Sequence, residues 1–497
     1  MSAHGDRQPG PAAVIERLRD LVGAPFVTAG DDVADADTHD ESLTGSPVTP
    51  LAVVRPATAG EVSAILALAD AHRVAVVARG SGTGLSGASR PVPGCVLVCF
   101  DRMNRILEVD VDNEVAVLEP GVTLHQLDEA LAPYGLVYPV SPGEASASLG
   151  GNVATNAGGM RAIRYGVTRH HVLGLELVLP GGQVIRTGGK FVKSSAGFDL
   201  TQLVVGSEGT LALVTEVTLK LTPRLSSTAT LLAPFGTLAE VVRAVPTVTR
   251  SGVAPLVLEY LDALTMATVT TNAGVDLGVP AATVAAATAY LVVVLQSTHQ
   301  DRLDADVQTV AERLEQMGAL DVFVLPDNAG ANLVAARERA FYSAKAAGAH
   351  DIVDAVVPRS AIPEYLATVG ELAAGSGALI AGCGHVGDGN VHLSIFQADP
   401  ERRRHVLHAI YAAGAALGGA VSGEHGIGSE KQPYFFELED PAKLALQRRI
   451  KAAFDPHGIL GPGRLLDPVE SAALEDPSGP RAQSQPPGSV GAVAATP

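Results

Sequence analysis

The chain carries three cysteines in 497 residues. Cys95, Cys99 and Cys383 cannot build a disulfide framework, and they suit a reducing, cytoplasmic setting. With no second pair of thiolates, a four-cysteine set for an intrinsic iron–sulfur centre is missing as well. Basic residues are also scarce: 35 Lys and Arg stand against 53 Asp and Glu, a net charge of −18. Such a surface repels nucleic acid and anionic lipid, so no nucleic-acid partner is expected, and an anionic ligand must be captured locally against the overall field. No apolar run reaches the roughly 18 residues that read as a membrane span; Ala285–Leu295 is too short. Met1–Ala13 has no apolar stretch of the secretory kind. Direct membrane insertion is therefore not expected, and work at a membrane would pass through a partner.

What is present is a soluble, globular composition, 47% hydrophobic and 18% charged. The length is too great for one ordinary core. Residues 1 to about 12 read as loose and Ala13–Val22 as a short helix. Strand and helix patterns then alternate: Leu51–Arg55, Thr58–His72, Val74–Arg79, Cys95–Phe100, Ile106–Val111, Val115–Leu118 and Leu124–Leu131. Leu173–Leu179, Val184–Thr187 and Leu211–Leu221 close this first α+β part. At their spacing, Cys95 and Cys99 point to one face of a strand. A second alternation runs from Thr228–Ala233 through Thr237–Val248, Pro255–Tyr260, Ala289–Gln296, Asp301–Gln316 and Asp321–Val324. With strands Leu379–Cys383 and Val391–Phe396 added, it suggests a sheet covered by helices. The expected organisation is an N-terminal segment 1–46, a first domain 47–225, a second 226–466, and a Pro-, Ser-, Gly- and Ala-rich disordered tail 467–497.

The most informative stretch is Cys383–His392, followed by Ser422–Gly426. Gly387-Asp388-Gly389-Asn390 is turn chemistry between two apolar runs. A loop of these four residues pairs Val386 with Val391 and sets His385 opposite His392, where Cβ atoms lie about 5 Å apart. Two imidazoles at that spacing can share one ion, and Glu424 can add an oxygen ligand while positions stay open for substrate. That is the pattern of a catalytic metal, not a closed structural one. A lone histidine is more often a surface or hydrogen-bonded core residue, so the inference rests on the two glycine-flanked blocks together.

Glycine-rich loops form the second signal. Arg79-Gly80-Ser81-Gly82-Thr83-Gly84-Leu85-Ser86-Gly87 contains a G-x-G-x-x-G match, but Pro91 and Pro93 follow and no helix fits. The dinucleotide-binding reading is therefore weak. Small-residue N–H groups can still wrap a phosphate without a helix. Ser141–Gly143, Ser148–Gly159 and Gly206–Thr210 have the same character. Any one of them is most simply a turn; together they favour an extended phosphate-and-ring ligand.

These residues carry a resemblance. Arg79–Ala88, Ser141–Gly143, Gly150–Gly159, Tyr165-Gly166 and Gly206–Thr210 resemble the FAD-binding domain of the vanillyl-alcohol-oxidase / p-cresol-methylhydroxylase (PCMH) superfamily. His385–His392, Ser422–Gly428 and Phe454-Asp455-Pro456 resemble its FAD-linked 2-hydroxy-acid dehydrogenase branch, which holds the glycolate oxidase flavoprotein subunit, D-lactate dehydrogenase and D-2-hydroxyglutarate dehydrogenase. The resemblance implies an α+β fold: a two-subdomain PCMH-type FAD-binding domain, an α+β cap (substrate) domain, and a C-terminal return to the FAD domain around Leu444–Leu466. It implies non-covalent FAD held by Arg79, Gly80, Ser81, Gly82, Thr83 and Gly84 at the pyrophosphate. Pro142, Gly143, Gly150, Gly151, Asn152, Asn156, Gly159, Tyr165 and Gly166 would line the flavin, with Glu208 and Gly209 by the adenosine half. It implies His385, His392 and Glu424 as ligands of a divalent metal, usually zinc, His425 as catalytic base and Arg337 as carboxylate binder.

Three departures qualify that carry-over. Val334 stands where the branch often has Trp. Ile352 and Ser394 stand where D-2-hydroxyglutarate enzymes carry a Lys and an Asn. They argue for a lactate- or glycolate-like D-2-hydroxy acid as substrate. Electrons would leave to oxygen, a quinone, a cytochrome, an electron-transferring flavoprotein or a separate iron–sulfur subunit; a homodimer is left open. The alternatives are a flavin oxidoreductase acting on D-2-hydroxyglutarate or a sugar acid, a flavoprotein subunit that scaffolds electron transfer, and a plain metal-binding module. The glycine loops speak against the last.

Overall fold

The structure, a computed structural model, describes residues 10–466. Both the tail 467–497 and most of the loose N-terminal stretch lie outside them, though the first helix already begins at Pro11. Helix makes up 41% and strand 21%. The expected α+β class holds because strands gather into separate sheets instead of one wound parallel sheet.

The first sheet runs Val27–Thr28, Ala52–Val54, Val96–Cys99, Val76–Arg79 in spatial order, with the last three strands parallel. Helix Ala59–His72 covers it, started by Thr58, whose hydroxyl accepts from Glu61 N at 3.2 Å. Cys95 and Cys99 both pack with Val53, Val77 and Leu97, on one face as their spacing implied. A five-stranded antiparallel sheet follows, ordered Ile106–Asp110, Val115–Leu118, Leu213–Lys220, Val172–Val178, Val184–Gly188.

The third sheet is the largest: seven strands ordered Phe323–Leu325, Ser227–Phe235, Ala289–Ser297, Val257–Asp262, Leu379–Gly384, Asn390–Phe396, Asp351–Val356. One face packs against helices in a continuous core that includes Leu258, Val293, Val353, Leu393 and Ile395. Residues of the other face reach the functional cavity. After helix Pro441–Phe454 the chain returns to the first sheet, where Val76 N donates to Ile459 O at 2.7 Å. The buried Lys451 ammonium secures that return by donating to Thr210 O, Leu460 O and Asp455 Oδ2 at 2.7, 2.9 and 2.5 Å.

Three local expectations are corrected. Ser148–Gly159 is no open loop: Ser148 accepts from Gly151 N, and Leu149–Thr155 forms a short helix. Strand Asp351–Val356 and helices Asp327–Glu338, Ile362–Ser376 and Pro400–Ala416 went unread. Finally, the metal-block hairpin pairs Cys383, not His385, with His392. The register is two residues off because Val386 leaves the ladder to bury itself in the core, while Val357 N holds Gly389 O at 3.0 Å. Gly389 makes that docking at φ +100°, a conformation open to glycine.

Candidate active site

A slip of two residues keeps every side chain on its own face. His385 therefore still reaches His392, now as a diagonal neighbour instead of a facing one. The imidazoles meet edge to face with centroids 4.9 Å apart. Their Nε2 atoms are 3.2 Å apart, and Glu424 Oε1 lies 3.1 Å from His385 Nε2 and 3.2 Å from His392 Nε2. Ligands of a tetrahedral ion at about 2.0–2.2 Å stand roughly 3.3–3.6 Å from one another. The triangle needs only slight widening to hold one.

Two buried carboxylates that the sequence reading missed support it. Glu259, in strand Val257–Asp262, takes the Nδ1 side of His385 and pairs with Arg337 Nη2 at 2.8 Å. This turns Nε2 of His385 toward Glu424, a carboxylate–histidine arrangement typical of metal-binding imidazoles. Burial would raise the Glu259 pKa, but His385 and Arg337 together hold it below the usual carboxylate range. Burial disfavours imidazolium at His385, yet Glu259 and Glu424 outweigh it and push its pKa well up. The pair of carboxylates thus creates a position that favours positive charge.

Asp354, in strand Asp351–Val356, is the other. It sits directly across from His392 and is fully buried. Its Oδ2 accepts from Ser422 Oγ at 2.7 Å and from the N–H groups of Gly423, Glu424 and His425 at 3.1, 3.1 and 2.8 Å. Asn390 Nδ2 reaches Oδ1 at 2.8 Å, and Lys431 Nζ stands 3.3 Å from Oδ2. Although burial opposes ionisation, the neighbouring His425 and Lys431 hold its pKa far below the ordinary value. One carboxylate therefore folds the whole Ser422–His425 loop under the cavity. An aspartate or glutamate inside an otherwise apolar strand was the signal that could have found both.

His425 stacks on His392, ring centroids 5.1 Å apart, with Nε2 3.9 Å from Glu424 Oε1. Burial lowers its pKa to about 4, so it is neutral near pH 7. Arg337 ends helix Asp327–Glu338 buried at the same cavity. Its Nε and Nη2 make no hydrogen bond, because the Glu259 contact is poorly aligned.

His425 and Glu424 lie where two cavities meet. One, about 1440 Å³ of open space, is walled by Arg79–Leu85, Pro142–Glu144, Gly150–Asn152 and Ser207–Gly209. Thirteen of the seventeen expected cofactor residues line it: Arg79, Gly80, Ser81, Gly82, Thr83, Gly84, Pro142, Gly143, Gly150, Gly151, Asn152, Glu208 and Gly209. Gly159 lines the second cavity beside His385, His392 and Arg337. Asn156, Tyr165 and Gly166 line neither. Asn156 instead caps the short helix in the left-handed region and accepts from Arg169 N, and Tyr165 O pairs with His171 Nε2. Two lining side chains are occupied within the protein. Arg79 donates to His39 O and Ala36 O, and the Glu208 carboxylate accepts from Ile427 N and Gly428 N at 2.7 Å each.

Comparison with known proteins fits this geometry. Residues 50–188 match the FAD binding domain family, and residues 224–465 match the FAD linked oxidases, C-terminal domain. Family matches and relatives together mark the chain as an FAD-linked oxidoreductase, a class acting on CH–OH donors. An uncharacterized FAD-linked oxidoreductase of Mycobacterium tuberculosis is 53% identical over 90% of this chain and 97% of its own length. D-lactate dehydrogenase of Archaeoglobus fulgidus is 36% identical over 83% and 91%, and glycolate oxidase subunit GlcD of Bacillus subtilis 35% over 84% and 89%. The chain belongs to this family of FAD-linked oxidoreductases, which includes D-lactate dehydrogenase, glycolate oxidase GlcD and D-2-hydroxyglutarate dehydrogenase. The 4-ethylphenol oxidase of Gulosibacter chungangensis shares the fold, with TM-score 0.75 over 92% of this chain and 97% of that one at 19% identity. Among the described residues no helix is long and apolar enough to cross a membrane.

Proposed function

We propose that the protein oxidises a D-2-hydroxy acid with a single carboxylate, lactate and glycolate being the smallest members, to the 2-oxo acid. FAD would be non-covalent, and His385, His392 and Glu424 would hold a divalent metal, zinc by the donor set. The observation that carries this reading is the convergence of those three ligand atoms, 3.1–3.2 Å apart, beside Arg337 and His425 at the junction of the two cavities. The glycine-walled cavity suits FAD because its wall is glycine-rich main chain, and its Glu208 carboxylate is already engaged by Ile427 N and Gly428 N.

Bound FAD supplies the two-electron acceptor for the α-hydrogen as hydride, and a bound cation acidifies the hydroxyl. The chain's own residues do the rest. Arg337 receives the substrate carboxylate, which provides an acceptor for its Nε, free of any hydrogen bond, while Nη2 stays ion-paired with Glu259. Neutral His425 takes the hydroxyl proton as the C–O bond becomes C=O, and its low basicity keeps it free of a proton beforehand. Glu259 keeps the Nδ1 proton of His385 in place, so that Nε2 presents its lone pair to the cavity. Reduced enzyme would then pass electrons to a separate acceptor.

Anaerobic mixing of the FAD-loaded protein with D-lactate, glycolate and D-2-hydroxyglutarate tests the reading. Bleaching of the oxidised-flavin band by a 2-hydroxy acid supports it. Indifference to all such acids rejects it.

A further inference from the structure

The second cavity extends well past the histidines, with about 1250 Å³ of open space. Its floor is one face of the seven-stranded sheet. Side chains alternate along Asn390–Phe396, so His392, Ser394 and Phe396 face the cavity while Val391, Leu393 and Ile395 enter the core. Pairing sets Cys383 beside His392, Ala381 and Ile352 on either side of Ser394, and Leu379 beside Phe396. From His392 to Phe396 this row runs about 13 Å, and its chemistry passes from imidazole through Ser, Ala and Ile to Phe and to Leu379, which is 55% exposed at the cavity mouth. Helices Ala263–Ala273 and Ala340–Ala346 add Leu264, Val269 and Ala344 to the lining. The Thr265 and Thr268 hydroxyls there donate to Gly382 O and Leu264 O. Arg337 is the only arginine or lysine among the lining residues, and its contact with Glu259 puts it at the histidine end.

Resting on the 2-hydroxy-acid reading above, we infer that the preferred substrate is a D-2-hydroxy monocarboxylic acid with an aliphatic tail several carbons long. The tail lies over Ser394, Ala381 and Ile352 toward Leu379 and Phe396. A lactate-sized molecule leaves this row empty. A second carboxylate on the tail would find no arginine or lysine along this row to pair with. Each methylene laid against the row should raise kcat/KM about fourfold.

The test is anaerobic flavin reduction of the FAD-loaded enzyme by glycolate, D-lactate, D-2-hydroxyhexanoate and D-2-hydroxyglutarate. The hexanoate should exceed lactate in kcat/KM by on the order of 10- to 60-fold, and the dicarboxylate should be no better than lactate. Affinity for 2-oxohexanoate over pyruvate, read from the perturbed spectrum of oxidised flavin, should favour the longer acid similarly. Ala381→Phe fills the row and should cut the hexanoate-to-lactate ratio at least tenfold; because it is a ratio, it is unaffected by loss of folded protein. Bleaching by lactate or glycolate with no gain from the longer chain, preference for the dicarboxylate, or an unchanged ratio in the variant overturns the inference and leaves the 2-hydroxy-acid reading intact. If no acid in the series bleaches the flavin, the underlying reading falls and this one with it.

Discussion

The two cavity walls that meet at His425 are built by opposite means. Around the glycine-lined cavity the wall is mostly main chain, with Gly80, Gly82, Gly84, Gly150 and Gly151 bringing backbone to the surface. Around the histidines it is side chains from separate segments: Glu259, Arg337, Asp354, then His385 with His392, then Glu424 with His425. The first wall fails when something is added, since a Cβ at Gly150 would press to 2.5 Å from that of Pro120. The second fails when something is removed, since Glu259 aims His385 and Asp354 holds the backbone that carries Glu424 and His425. The two touch at their seam: a Cβ at Gly158 would come within 2.6 Å of Glu424 Oε2, and Glu208 of the first wall anchors the backbone just after His425.

That contrast yields separable failures. The largest is expected from His392→Ala, which should lower turnover by on the order of a thousandfold and abolish stoichiometric metal while the yellow flavin stays bound. Metal analysis beside a visible spectrum checks it; a colourless variant would mean the walls are not independent. Gly150→Val should do the reverse, giving protein without flavin that still takes up metal. For His425→Ala a loss of about 10²- to 10³-fold in kcat is expected with both metal and flavin retained; unchanged kcat removes it as the base. Asp354→Asn should weaken metal affinity about 10- to 100-fold, measured by competition with a chelator, because the loop bearing Glu424 loses its anchor. The smallest effect belongs to Thr58→Ala: about 1 kcal/mol of stability in denaturant unfolding, with metal and flavin content unaltered.

The backbone-built wall was the more legible one. A glycine loop is contiguous, so its residues announce themselves together, and thirteen of seventeen expected positions do face the cavity. The exceptions, Asn156 and Tyr165-Gly166 among them, are places where small or turn-forming residues serve a helix cap or a bend. In the other wall, His385, His392 and Glu424 were visible through their glycine-flanked blocks, but their supports were not. Glu259 and Asp354 come from strands that read as ordinary apolar segments or were missed, and nothing local says which histidine they will meet. The hairpin register shows the same limit: turn chemistry marked the loop, while burial of Val386 and docking of Gly389 decided where pairing stops.

Taken alone, the order of residues determined where strands, helices and turns fall, because periodicity and turn chemistry act within a few positions of each other. It also determined which side chains could bind a metal. Which of them converge, which carboxylates stand behind them, and how far the cavity runs beyond them were decided only when seven strands drawn from about 170 residues of chain were laid side by side. Distance in space between such strands is set by packing of the whole sheet, which no local pattern encodes.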